Sequence, residues 1–239
     1  MDTPNLPETE PEEMTWQDDE NRATLFLRSV FVLLSGALIL GAEFYTSFNP
    51  PLLEGLYLLG MNIIFPVCII WFFFGQGLRP AEWLTDQKYN AWNYGLNFKD
   101  WKTHFRWIIP LLIFGIAEIL ICKMLFLGGS TSIALSELMT TTVTLWFCGI
   151  CLAWLLFGFL WFGCAQGFGP IVATGCIIIV FVNYGYTQRL SLQDTVVTAL
   201  AYLPFTLLGS YICWKQKSWI PILYAVILLA PIASCILMF

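Results

Sequence analysis

The stretch GCAQGFGPIVATGCIIIVFVNYG, residues 163–185, lies in the middle of a series of apolar segments and decides how the chain is divided there. Gly167 and Gly169 bracket a turn, and Pro170 follows it. Proline is favoured at the first position of a helix, where its missing N–H costs nothing. The stretch therefore predicts the end of one apolar helix, a glycine turn and the start of the next helix.

The composition is that of an integral membrane protein. Hydrophobic residues make up 58% of the 239 residues and charged residues only 11%, whereas a soluble domain carries roughly 25% charged residues. Aromatic residues reach 17%, as expected of interfacial belts and helix packing, although they could also line a site for a flat apolar ligand. We expect the lipid bilayer as the surroundings and no nucleic-acid partner.

A polar tail precedes the apolar part of the chain. Residues 1–21 contain eight of the sixteen acidic residues and too little apolar surface to fold alone. Residues 22–239 form the predicted transmembrane domain, an all-α bundle of about seven helices. Because roughly 20 residues are needed to cross a bilayer, the predicted spans are 23–45, 56–74, 107–127, 141–163, 170–184, 195–214 and 219–239.

The basic residues of the short connections predict an orientation. Lysine and arginine are concentrated at the start of the first span, in the connection 75–106 and in the connection 215–218. The opposite connections, 46–55 and 128–140, contain neither residue. Because cytoplasmic loops are enriched in Lys and Arg, we expect a cytoplasmic N-terminus and a C-terminus on the opposite side. The aromatic and basic connection 75–106 is predicted to lie in the headgroup region.

The chain has few residues that could form a metal site, a disulfide or a catalytic triad. All eight cysteines fall within or beside apolar spans, where cysteine usually acts as a small hydrophobe. Cys148 and Cys151 form a CxxC, a weak signal in an apolar helix of a chain with a single histidine. That residue, His104, precedes the third span and is expected to be solvated. We therefore predict no metal and no cofactor.

Glu118, near the middle of the third span, is the first candidate for a functional site. A carboxylate at bilayer depth is costly unless it is protonated, paired or facing a polar cavity. Two interpretations stay open, a functional group and a packing hydrogen bond to a neighbouring helix. Lys123, five residues further on, is about 140° away around a helix and is not placed for a direct pair.

Three segments, residues 94–101, 168–181 and 207–222, resemble the conserved core of CPBP-type (Abi/CAAX) intramembrane proteases. They read YGLNFKDW, FGPIVATGCIIIVF and LLGSYICWKQKSWIPI. In that family a paired-glutamate motif, EExxxR, supplies the general base, and two histidines and an asparagine complete the site.

The resemblance implies a site that has lost its chemistry. Leu152 and Ala153 stand where the two glutamates belong, and Phe157 stands where the arginine belongs. Gly185, Ala225 and Leu229 stand where the two histidines and the asparagine belong. A second register, which aligns Glu118 and Lys123 with the glutamate–arginine segment, breaks the spacing to Phe168 and finds no downstream histidines. Because none of the residues in the preferred register transfers a proton, we predict that the chain is not an enzyme, unless a residual activity rests on Glu118.

The leading functional hypothesis is a non-catalytic scaffold or accessory subunit that stabilises or assembles a complex of integral membrane proteins. Small residues that permit close helix approach are the predicted packing positions: Gly158, Gly163, Gly167, Gly169 and Ala173. The alternatives are a protein that binds a lipid, isoprenoid or pigment, or one that protects against a bacteriocin. In the ligand-binding alternative the candidate polar groups of the groove are Glu118, Lys123, Asn183 and Tyr224.

Overall fold

The computed structural model describes residues 22–43, 56–57, 59–70, 94–95, 101–124, 135–187 and 192–238. Every regular element within these ranges is a helix and none is a strand, which confirms the all-α class. The acidic tail 1–21 and most of the connection 75–106 lie outside the described residues.

Seven helices follow one another along the described chain. The fourth is a continuous helix with three parts, and its middle part is a π-helix. The helices are α1 (Arg22–Glu43), α2 (Gly60–Ile64, continued by Phe65–Cys68), α3 (Trp101–Cys122), α4 (Leu135–Ala153, Trp154–Trp161 and Phe162–Phe168), α5 (Pro170–Thr187), α6 (Leu192–Gln216) and α7 (Ile220–Met238).

Each predicted span contains a helix, but two helices begin six residues before their predicted starts. Helix α3 starts at Trp101, so the last residues of the predicted connection 75–106 are helical. Helix α4 starts at Leu135, inside the predicted connection 128–140, and ends only at Phe168. Ser136, Glu137 and Thr140 lower the hydropathy of residues 135–140 without breaking the helix. Hydropathy alone therefore placed both starts too late.

The predicted turn between α4 and α5 is present. Gly169 has φ +82° and ψ 165°, a backbone conformation that is almost confined to glycine. Its N–H donates to the Ala165 carbonyl at 3.0 Å, and its own carbonyl accepts from the Ala173 N–H at 3.0 Å. Pro170 is the first residue of α5, as predicted. The glycine turn thus ends one helix and begins the next, and both backbone polar groups of Gly169 are hydrogen-bonded.

The π-helical part of α4, Trp154–Trp161, forms the centre of the bundle. All eight of its residues are buried, and it packs against α1, α2, α5 and α6. Helix α7 lies against α3 and the first part of α4, while α1 lies against the last part of α4. A helix that is apolar on every side is stable only when neighbours surround it, and this segment has such neighbours on several sides.

Two of the described helices are long and apolar enough to cross a membrane, judged by length and composition. They comprise residues 102–121 and 138–168. Shorter apolar helices cover residues 25–41, 170–180 and 220–236.

A hydroxyl group joins α1 to the last part of α4. The Ser29 Oγ donates to the Gly163 carbonyl at 2.7 Å and accepts from the Gly167 N–H at 2.9 Å. In a regular α-helix these two backbone groups would bond to each other, because they are four residues apart. Ser29 therefore binds both backbone groups of one helical hydrogen-bond position and ties two helices together. The contact requires the backbones to lie close to each other.

A two-residue turn from the connection between α2 and α3 inserts into the bundle. Tyr94 is 1% exposed, and its ring stacks on Phe159 with the centroids 6.3 Å apart. The Gly95 carbonyl accepts a hydrogen bond from the Trp219 N–H at 3.1 Å, just before α7. Burial raises the pKa of Tyr94 well above its usual value, so the phenol remains neutral. The turn connects this loop to the centre of α4 and to the start of α7.

Pro231, inside α7, is compensated by a side chain of α4. Proline has no N–H, so the carbonyl four residues earlier, that of Ile227, loses its helical donor. The Trp146 Nε1–H donates to this carbonyl at 2.6 Å. A second link between the same helices runs from the Thr142 Oγ1 to the Ser234 Oγ at 2.8 Å. The proline thus frees an acceptor that α4 uses to bind α7.

Replacing Trp146 by phenylalanine is expected to lower the free energy of unfolding by about 1 kcal/mol through the lost hydrogen bond. Replacing Pro231 by alanine restores a backbone donor for Ile227, so the same Trp146→Phe change should cost less in that background. Unfolding by SDS in mixed micelles, measured for the four proteins of the double-mutant cycle, checks this result. Strict additivity of the two changes would contradict the assignment.

Candidate functional site

One face of α3 directs a regular series of residues into the bundle. His104, Ile108, Leu111, Gly115 and Glu118 are all buried and are spaced alternately four and three residues apart. This is the spacing of a single helix face. His104 is only 1% exposed, so the expectation that it is solvated was wrong. The reason is that Trp101 already begins the helix, which carries His104 onto the inward face.

A cavity of about 180 Å³ opens beside the end of this face, between α3, α4, α6 and α7. Its wall is mostly apolar, and polar side chains are contributed only by Glu118, Tyr202 and Thr206 among the described residues. The apolar side chains of the wall are Ile119, Leu152, Ala153, Leu156, Phe157, Phe205, Ile222, Val226 and Leu229. An apolar cavity with a few polar groups is typical of a small-molecule site.

Glu118 supplies the strongest polar group of this cavity. The residue is 8% exposed, and its Oε2 is buried with no hydrogen-bond partner among the described residues. A buried polar atom without a partner loses its interactions with water and gains none in return. The carboxyl group therefore has hydrogen-bonding capacity that the described part of the chain does not use.

The other polar groups predicted for the groove are not brought together with Glu118. The Lys123 Nζ donates to the Ile236 carbonyl at 2.6 Å, in the last turn of α7, where the helix dipole favours a positive charge. The Tyr224 ring stacks on Phe105, with the centroids 6.3 Å apart. Neither residue lines the cavity. Asn183 belongs to α5, and its side chain lies outside the described part of the chain.

Two of the predicted small-residue positions make close contacts within the chain. A Cβ at Gly163 would meet Val32, and a Cβ at Gly167 would meet the Leu25 carbonyl oxygen at 2.5 Å. Both glycines therefore permit α1 to approach α4.

The remaining small residues have other surroundings. A Cβ at Gly158 would meet Trp154 of the same helix, and Ala173 is fully buried. Gly169 forms the turn before α5 and has open space around it.

Four positions at which the resemblance expects catalytic groups line this same cavity. Leu152, Ala153 and Phe157 contribute from α4, and Leu229 contributes from α7. Ala225 is fully buried on α7, and Gly185 lies in α5. The side chains at the four lining positions have no atom that can exchange a proton. Glu118 enters the cavity from a different helix, α3.

The sequence did not indicate Tyr202 or Thr206 as site residues. Thr206 is 8% exposed and Tyr202 is half-buried, and both lie near Pro204 in α6. A single hydroxyl in an apolar helix carries no pattern from which a site can be recognised. Within the described residues, no group of three His, Cys, Asp or Glu side chains is arranged to hold a metal ion.

No protein-family model matches the chain. No curated protein and no solved structure is significantly similar to it.

Proposed function

We propose that this chain is a multi-pass membrane protein with a cytoplasmic N-terminus and about seven crossings. Large apolar side chains on the outside of several helices support this proposal, among them Leu38 at 72%, Ile109 at 64% and Ile171 at 87% exposure. In water such faces are unfavourable and promote association. In a bilayer they contact lipid tails. The basic connections set the proposed orientation.

We further propose that the bundle is a CPBP-like core without catalysis. The observation that supports this proposal is that Leu152, Ala153, Phe157 and Leu229 line one cavity. The resemblance aligns these four residues with a glutamate pair, an arginine and an asparagine. Water activation needs a general base and hydrogen-bonding partners for it. Glu118 is the one acidic side chain in the described wall, and the wall contains no histidine.

The proposed role is that of an accessory subunit that binds other integral membrane proteins and stabilises or assembles their complex. A bundle that keeps its packing without its chemistry remains available as a binding module, an argument from fold analogy. The small residues Gly163 and Gly167 are occupied by contacts to α1. Partner binding is therefore assigned to the outward apolar faces rather than to these glycines.

Purification of the tagged full-length chain from its native membrane in mild detergent tests the accessory role. We expect a membrane protein to co-elute in a fixed ratio, identified by mass spectrometry of the peak. An unrelated multi-pass protein with the same tag, expressed at the same level, is the control for detergent carry-over. Elution of the chain alone, at a mass that fits one copy plus detergent, would reject this role.

A second candidate function, binding of a lipid, isoprenoid or pigment, is favoured by the cavity beside Glu118. The accessory role gives no reason for a buried carboxyl oxygen that has no hydrogen-bond partner in the described part of the chain. The ligand role does, because a bound molecule can complete its hydrogen bonding. Extraction of the purified protein into organic solvent, with mass spectrometry and an absorption spectrum of the extract, is expected to recover this molecule.

A further inference from the structure

The cavity beside Glu118 combines a small volume with a buried carboxyl oxygen that no described residue hydrogen-bonds. Its volume is about 180 Å³, slightly more than an apolar cavity of roughly 150 Å³ that accommodates benzene. The cavity therefore holds about seven non-hydrogen atoms, estimated by this comparison. Ile119, Gly149 and Phe205 in its wall are half-buried, so part of the wall lies near the outside of the bundle. The site fits the end of a longer molecule or the whole of a small one.

The polar groups of the wall restrict the chemistry of that molecule. Glu118, Tyr202 and Thr206 offer a carboxyl and two hydroxyl groups, and none of them carries a positive charge. An anionic ligand would meet no cation among the described lining residues. A cationic ligand would have to lose its hydration in a wall that is mostly apolar, which is costly. A neutral hydroxyl loses less on burial, and it can donate to the carboxyl and accept from a neighbouring hydroxyl.

We propose that this cavity binds the hydroxyl end of an apolar alcohol, with the Glu118 carboxyl as its hydrogen-bond partner. The hydroxyl lies at Glu118, and the first carbons of the ligand contact the apolar wall formed by α4 and α7. This inference rests on the ligand-binding alternative above and is independent of the accessory role. A membrane lipid alcohol and a short free alcohol share this chemistry.

Photolabelling of the purified full-length chain in detergent micelles tests the proposal. The probe is an octanol that carries a diazirine near its hydroxyl end, and the matched control is the same diazirine on octane. Peptide mass spectrometry then locates the labelled residues. We expect the alcohol to label the cavity wall about fivefold more than the hydrocarbon, the factor that one net hydrogen bond provides. Labelling on outward residues such as Ile171 should be equal for the two probes.

Three variants separate the contribution of the hydrogen bond from that of the available volume. Glu118→Gln keeps a donor and an acceptor, so it should retain most of the preference for the alcohol. Glu118→Leu removes both and should reduce alcohol labelling to the hydrocarbon level. Ala153→Leu fills part of the cavity and should reduce labelling of the wall by both probes. The elution volume and circular dichroism of each variant establish that it is folded.

Competition distinguishes the two sources of the ligand. If hexadecanol displaces the probe more effectively than hexanol, the natural ligand is a lipid alcohol. If hexanol displaces it more effectively, the natural ligand is a short alcohol. Equal labelling of the wall by both probes in the unmodified protein, or failure of both alcohols to compete, would overturn the proposal even if a variant did not fold. Because the assay contains only this chain, its failure leaves the co-elution test of the accessory role unaffected.

Discussion

Replacing Gly167 by alanine is expected to lower the free energy of unfolding by about 3 kcal/mol. The added Cβ would lie 2.5 Å from the Leu25 carbonyl oxygen and 2.5 Å from the Ser29 Oγ. The first of these atoms belongs to the backbone of α1 and cannot rotate away. The helices must therefore separate, and separation also breaks the Ser29 bridge to Gly163 and Gly167.

A matched control exists one helix further on. A Cβ at Gly175, inside α5, has no neighbour within 4 Å. Gly175→Ala should therefore leave stability unchanged or raise it by up to about 1 kcal/mol, since alanine is the better helix former. SDS-driven unfolding followed by tryptophan fluorescence compares the two variants. Equal stability of Gly167→Ala and Gly175→Ala would contradict the close approach of α1 and α4.

Replacing Gly95 by alanine should cost a similar amount, about 3 kcal/mol, for two combined reasons. Gly95 has φ +70°, a left-handed conformation that an alanine adopts only with strain. The added Cβ would also collide with the ring of Phe162, which is 2% exposed in the core and has no room to move. The turn would have to withdraw, and the hydrogen bond from Trp219 would be lost.

The Phe162→Leu background separates the collision from the backbone strain. Leucine occupies less space than the ring, so the Gly95→Ala change should cost at least about 1 kcal/mol less in this background. The four proteins of the cycle are compared by the same SDS unfolding. Limited proteolysis of the connection between α2 and α3 should also become faster in Gly95→Ala. An unchanged cost in the Phe162→Leu background would exclude the collision as the cause.

The candidate site was only partly accessible from the sequence. Glu118 stands out because a carboxyl group inside an apolar span is unusual, and the structure places it in a cavity wall. His104 was misjudged, because its place on the inward face depends on where α3 begins. Tyr202 and Thr206 carry no sequence signal. A hydroxyl group in an apolar helix can be recognised as part of a site only when the residues that face it across the bundle are known.

The sequence by itself determined the helical class, the approximate helix positions and the turn at Gly169 and Pro170. These properties follow from hydropathy summed over many residues and from backbone restrictions that act within a few residues. Only the tertiary structure decided that Ser29 bridges two helices and that Glu118 faces an apolar cavity. It alone also showed that Trp146 donates a hydrogen bond to the carbonyl that Pro231 leaves without a helical donor. When nearly every face of every helix is apolar, periodicity no longer distinguishes the inner face from the outer one. The contacts between distant segments then depend on packing alone.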